Sequence, residues 1–420
     1  MKTTIIIFLL SFFLATSCSK EETPDTQTDE NGVVISLPYQ WKKLLHQSGV
    51  VSNSSVRKTI YYNDNIAIPT TNGGNNRLLT LINPDNGDII WSWDDRYQPE
   101  TEDIFITHYH QHNNLLTYQI GDRSYCINLD NGTTHWKFRR DKPFDVRIVL
   151  YDSFYSTYGY ITNEDDNQEH IAYLGDIDNG NLTEFLRANL SSSYVSSRGV
   201  GGIDYVGKLP SDDSLLLVSY SEPLSGWKIK SFFGLYDTNT NQWIWEGKQL
   251  IDPPTVNSGL FNVPLFYNDK VVASIGKNLV CRSLITGDEV WKRSFPQDFL
   301  FSGFIIEEGK IIANNEDEYT YCLNPDSGSV LWKTETSGTS GRISYLNGVV
   351  YFVGGATGKL HALDINTGEH VWKIDAHKMG EPDNSNFKTN AVYVFPKEGD
   401  NPAKIIALSH LNAYCFEAYQ

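Results

Sequence analysis

Leu360-His361-Ala362-Leu363-Asp364-Ile365-Asn366-Thr367-Gly368-Glu369-His370-Val371-Trp372 reads as a strand, a tight turn and a returning strand. Asp364 and Asn366 open the turn by bonding their own backbone, and Gly368 supplies the left-handed conformation that closes it. Trp372 then falls on the returning strand, where a large ring can fill the wedge between neighbouring sheets. The same Gly-to-Trp spacing recurs at Gly87…Trp91, Gly132…Trp136, Gly287…Trp291 and Gly328…Trp332. Two copies are degenerate: Asn241…Trp245 replaces the Gly, and Gly180…Glu184 loses the Trp.

The period is roughly 40–60 residues, the range of propeller blades. Upstream of each turn lies a second hairpin, for example Ile343–Leu346, Asn347-Gly348 and Val349–Phe352, so one period holds four short antiparallel strands. After Trp372 three strands remain, Ala391–Phe395, Lys404–Ser409 and Ala413–Ala418, while Val33–Leu45 offers a lone strand with Trp41-Lys42 at the other end. The expectation is an all-β, eight-bladed β-propeller of four-stranded antiparallel blades. The N-terminal strand completes the C-terminal blade, so that no edge is left open at the seam. The docking tryptophans are then Trp41, Trp91, Trp136, Trp245, Trp291, Trp332 and Trp372.

With no linker between copies, residues 33–420 form one domain. The formal charge of −17 argues against binding a nucleic-acid backbone or an anionic membrane surface. Residues 1–17 read as an address: a lysine, the apolar run Ile5–Leu14, and small residues before Cys18. They resemble a bacterial lipoprotein signal, with Ala15 where such signals usually carry Leu, and Cys18 becomes the lipid-bearing N-terminus. The competing reading is an ordinary secretory cut after Ser17. Residues 18–32 read as a flexible tether. Its Lys20-Glu21-Glu22 resembles the export signal of Bacteroidetes lipoproteins, or is a solvated charge run. Placement at the outer membrane, on its periplasmic face or at the cell surface, follows from the lipoprotein resemblance. Cys126, Cys281 and Cys322 each lie six residues before their repeat Gly, with Cys415 at the matching place in the last blade. Equivalent sites on packed sheets lie about 10 Å apart, so these four are expected as buried free thiols.

The Ala362-Leu363-Asp364…Gly368…Trp372 copy resembles the tryptophan-docking motif of the quinoprotein (PQQ-like) β-propeller family. The resemblance covers nearly the whole mature chain. It implies the fold and leaves function open, because that family includes quinone-dependent dehydrogenases and also non-catalytic lipoproteins such as the BamB scaffold. Those dehydrogenases typically carry a disulfide between adjacent cysteines; this chain has no Cys-Cys pair, and no carboxylate base with a calcium-ligand set is assignable. No catalytic residues, no PQQ and no other cofactor are therefore expected.

His108-Tyr109-His110-Gln111-His112 places three imidazoles on one face of a strand nearest the central channel. His108, His110 and His112 are metal-ligand candidates, with polar filling beside the channel as the alternative. Asp176-Ile177-Asp178-Asn179-Gly180 opens like a calcium loop but coincides with a repeat turn, and the turn reading is preferred. The period stretches between Gly180 and Asn241 around Ser191–Ser197 and Glu222–Trp227. Tyr194 and Trp227 on those segments are candidate partner-binding rings, with local packing as the alternative. A third long loop, Ala376–Phe387, enters the closing blade. The reading as a whole is a monomeric, lipid-anchored propeller binding a protein or glycan partner, against a metal- or quinone-dependent enzyme using the channel.

Overall fold

In the computed structural model the described residues are 24–45, 55–56, 60–71, 77–101, 104–106, 109–120, 122–139, 144–149, 154–162, 168–190, 202–224, 228–240, 242–255, 259–382, 385–397, 399 and 402–419. They form a ring of antiparallel sheets, with the 3-10 turn Ala376–Met379 between two of them. Away from the seam, each four-stranded sheet runs inner strand to outer strand in chain order, as in Leu265–Tyr267, Lys270–Ile275, Asn278–Ser283 and Glu289–Ser294. Apolar clusters then join consecutive sheets: Val272, Leu279 and Trp291 pack with Phe304, Ile311 and Ala313 across one such boundary.

The register explains the Gly-to-Trp spacing. Trp91, Trp136, Trp291, Trp332 and Trp372 lie opposite Leu81, Cys126, Cys281, Cys322 and Ala362, and one residue is bulged out before each ring. A bulge adds twist and re-aims the next side chain. Here it throws Ile90, Val290 and Leu331 outward into solvent and turns the ring toward the following sheet. There the indole N–H donates to a turn carbonyl: Trp41 to Pro84 (3.0 Å), Trp91 to Leu129 (2.8 Å), Trp136 to Ile177 (2.7 Å), Trp245 to Leu284 (3.0 Å), Trp291 to Pro325 (2.8 Å) and Trp332 to Ile365 (3.0 Å). The ring lies flat on the turn glycine. A Cβ on Gly132 would stand 2.7 Å from Trp91, and one on Gly328 2.6 Å from Trp291. The glycine thus meets two demands, a positive φ and room for an indole.

The cysteines facing three of these rings, and Cys415 facing Trp41, are buried and free. Burial pushes the thiols up, Cys126, Cys281 and Cys415 to about 12 and Cys322 to about 11, so they sit as inert small hydrophobes. The Asp176–Gly180 segment is a repeat turn: the Gly180 N–H donates to the Asp176 carbonyl at 2.7 Å, and the Asp178 N–H to the Asp176 carboxylate at 2.9 Å.

The expected eight four-stranded blades are corrected. Among the described residues seven blades have four strands, and the sheet carrying Trp372 has six. The cause is the seam. Trp41–Leu44 pairs antiparallel with Asn412–Glu417 and supplies the outer strand of the last blade, so that blade has no Gly turn to cover Trp372. Instead Val34–Ser36 pairs parallel beside His370–Ile374, with Val34 opposite Trp372, and Gln27–Thr28 pairs with it in turn. Val33–Leu45, read as one strand, is two strands in two different sheets. Val34, Leu37 and Tyr39 pack into the Trp372–Tyr414–Phe416 cluster.

The stretched repeat is corrected as well. Glu222-Pro223 ends the long strand Asp212–Pro223, which pairs with Ile229–Asp237 up to Pro223–Ile229. Glu222 and Pro223 are therefore part of an extended hairpin, while Ser191–Ser197 and residues 225–227 lie outside the described residues.

Candidate binding face

The ring has two faces of different character. On one lie the Gly turns and the short first hairpins. There, carboxylates are neutralised by lysines of the neighbouring sheet: Lys43–Asp88, Lys404–Asp85, Lys248–Asp288 (2.8 Å) and Lys270–Asp326 (3.0 Å). The opposite face carries the sheet-to-sheet connections, and three consecutive ones are stitched into a single ledge.

Asn262 begins the stitching. Its amide donates to Ser274 Oγ (3.0 Å) and to the Phe299 and Ser302 carbonyls (3.2 and 3.0 Å), joining the 259–264 connection to the next one. Ser302, itself buried, donates to Glu316 Oε1 at 2.5 Å and accepts the Thr339 N–H at 3.0 Å. Thr339 Oγ1 donates to Glu316 Oε2 at 2.7 Å, and the Gly341 N–H to the Phe301 carbonyl at 2.9 Å. Asn315 donates to the Gln297 and Asp298 carbonyls at 2.9 and 3.0 Å. Beneath them Asn314 donates to the Ser337 carbonyl at 2.8 Å.

This network holds two strained residues, Thr339 at φ 59° and Glu318 at φ 73°. A β-branched residue with positive φ is an outlier that surrounding bonds must enforce, and such strain concentrates at functional positions. On the ledge Phe301 is 60% exposed, and Leu300 and Val263 stand out beside it at 38% and 40%. Phe295 and Phe299 of the same connection are buried, so the loop is anchored by two rings while it presents a third.

A second anchor lies at the closing blade. Glu381, on the Ala376–Phe387 loop, is buried and accepts from Tyr414 OH (2.6 Å), Asn412 Nδ2 (2.6 Å), Ser409 Oγ (2.8 Å) and Ser385 Oγ (3.1 Å). Burial alone would raise its carboxyl; the four hydrogen bonds outweigh that and hold it below the usual value. A depressed folded value means that the stabilisation is present above the unfolded value of about 4.3 and is lost as pH falls through the folded one. Glu381→Gln is therefore expected to destabilise the protein by about 2 kcal/mol at pH 7, with the gap to the parent narrowing below pH 4. Denaturant melts of both proteins from pH 3 to 8 check this; a gap independent of pH would contradict the ionised assignment.

Of the histidine strand, Tyr109–His112 is the innermost strand of its sheet. His110 is buried, His112 is half-buried, and their rings lie parallel with centroids 6.4 Å apart. The shared face is as the alternation predicts, while His108 lies outside the described residues. No three His, Cys, Asp or Glu side chains converge as a metal-ligand group among the described residues. Tyr194, Trp227 and Cys18 also lie outside them. The sequence reading missed both the ledge and Glu381. The available signal was Phe295-Pro296-Gln297-Asp298-Phe299-Leu300-Phe301, an aromatic-rich connection where turn residues are usual.

Two stretches of the chain, residues 233–374 and 316–412, match the family model described as "Outer membrane protein assembly factor BamB". Over residues 233–412 the chain is similar to the BamB model of the PQQ-like β-propeller family. Solved structures share the fold at low identity. BamB from Moraxella catarrhalis aligns with TM-score 0.53 and 12% identity, over 91% of this chain and 100% of that one. Sqt1 from Saccharomyces cerevisiae aligns at 0.61 and 10%, over 95% and 100%. A europium-containing methanol dehydrogenase aligns at 0.58 and 11%, over 88% and 84%. No curated protein sequence matches the chain. The matched stretches contain the whole ledge from Asn262 to Gly341.

Proposed function

We propose that this PQQ-like propeller is a non-catalytic binding module that holds a protein partner on the ledge of Val263, Leu300 and Phe301, at the outer membrane, anchored through Cys18. The observation that carries the reading is the exposed Leu300-Phe301 pair fixed on three hydrogen-bonded connections. A solvated aromatic on an over-determined loop adds little to folding and suits an interface anchor. The BamB family match, to an outer membrane protein assembly factor, favours a partner in the envelope. The methanol dehydrogenase likeness extends to the fold, and at 11% identity carries no chemistry across.

The test is capture from detergent-solubilised membranes by the full chain and by Leu300→Ser/Phe301→Ser. The double variant is expected to lose at least ten-fold in captured partner while its melting temperature stays within about 2 °C of the parent, as for surface substitutions. Equal capture at equal folded protein would overturn the ledge assignment. Cys18→Ser is expected to move the protein out of the membrane fraction; unchanged retention would remove the anchor from the reading.

A further inference from the structure

The carboxylates around the exposed pair differ from the lysine-paired Asp85, Asp88, Asp288 and Asp326 of the Gly turns. Asp298 accepts the Leu300 N–H at 3.1 Å, Glu316 takes two hydroxyls, and Asp317 accepts Tyr321 OH at 2.6 Å. Glu318 follows in the same turn, and Glu335 pairs across the sheet from Tyr319. Among the described residues none of these five forms an ion pair with Lys, Arg or His, whereas Asp85, Asp88, Asp288 and Asp326 on the turn face all do. Elsewhere on the connection face carboxylates are paired, as Asp122 is with Arg139 (2.9 Å) and Asp375 with Lys359 (3.2 Å), so in a chain of net charge −17 the ledge is a local group of carboxylates without ion pairs around an apolar knuckle.

We infer that the ledge receives a cationic polypeptide segment whose Lys or Arg side chains pair with Asp298, Glu316, Asp317, Glu318 and Glu335 while an aliphatic or aromatic side chain packs on Leu300 and Phe301. This rests on the binding-module reading and names the chemistry of its partner. The geometry favours a segment over a folded anionic surface or a lipid headgroup, since unpaired carboxylates repel phosphate and fixed apolar side chains give an alternating cationic-apolar strand its two kinds of contact. Glu316 is presented rigidly: both of its oxygens are held by hydroxyls of adjacent connections, so pairing a cation there orders no further side chain.

The probe is a fluorescent ten-residue peptide, KLKFRLKFKL, titrated with the full-length protein at 50 and 300 mM salt. The controls are the same peptide with Glu for every Lys and Arg, and with Gln for each. The cationic peptide is expected to bind and to lose at least ten-fold in affinity at the higher salt; the acidic one should not bind. Glu316→Gln/Asp317→Asn/Glu318→Gln should weaken the cationic peptide at least five-fold. Asp88→Asn/Asp288→Asn/Asp326→Asn, which removes the same charge from the turn face, should leave its affinity within two-fold. Phe301→Ser should weaken the cationic and Gln peptides alike. Equal losses in the two triple variants would mean attraction by net charge alone and would overturn the inference, as would no binding. If membrane capture depends on Leu300 and Phe301 but ignores salt and the ledge carboxylates, the binding module stands and the cationic partner does not.

Discussion

Trp291→Ala is expected to lower the unfolding free energy by about 3–5 kcal/mol, the usual cost of emptying a buried aromatic site. Trp291 is 8% exposed, packs with Phe304 and Ile311 of the next sheet, and donates to the Pro325 carbonyl at 2.8 Å. Gly328→Ala should cost nearly as much by a different route. Its φ of 66° adds about 1–2 kcal/mol for any L side chain, and the new methyl would press on the indole. The two changes touch the same contact, so they should not add. In the Trp291→Ala background the methyl finds space, and Gly328→Ala should fall to about its backbone strain. Denaturant melts of the four proteins measure that coupling. Strict additivity would show that the indole does not rest on the glycine.

That contact also shows how the sequence could be read. Gly and Trp four apart are local consequences of a turn, a bulge and an inter-sheet wedge, so each copy carries its own evidence and five intact copies reinforce one another. The four cysteines followed by the same logic: each faces a docking Trp in register, a position otherwise filled by Leu or Ala. The seam was only half legible. Trp41-Lys42 looks like the other outer strands, and it does pair with Asn412–Glu417. That Val34–Ser36 would leave this blade to cover Trp372 depends on a missing turn elsewhere, and three residues have no periodicity to announce it.

The binding face was less legible still. Ser302 and Thr339 lie on two different connections and Asn314 and Glu316 on a hairpin between them, so the three segments meet only when the ring is assembled. Polar loop residues that bond across sheets look, in a sequence, like polar loop residues that bond to water. The three histidines, close in sequence, drew attention because local patterns are easy to see; His110 and His112 share a face because a strand alternates, which would hold with or without a ligand.

The seam makes the second large prediction, in two steps. A chain starting at Gln40 keeps Trp41–Leu44 but removes Val34–Ser36 and the Val34, Leu37 and Tyr39 contacts, with Trp372 left uncovered. It should fold with a loss of about 2–4 kcal/mol, from one large and two smaller apolar side chains returned to solvent. A chain starting at His46 also removes the outer strand of the last blade. That exposes the Asn412–Glu417 edge along its length and deprives Gly87 of the Trp41 ring, whose indole reaches the Pro84 carbonyl. An open edge beside an unpacked wedge favours association with another chain over a stable monomer. The shorter protein should therefore aggregate or sediment as oligomers, and its melting temperature should fall by far more than that of the Gln40 chain. Sedimentation velocity and thermal melts of the three lengths decide it. If the His46 chain stays monomeric and melts with the parent, the N-terminal strand decorates the ring without closing it, and the six-stranded sheet has another cause.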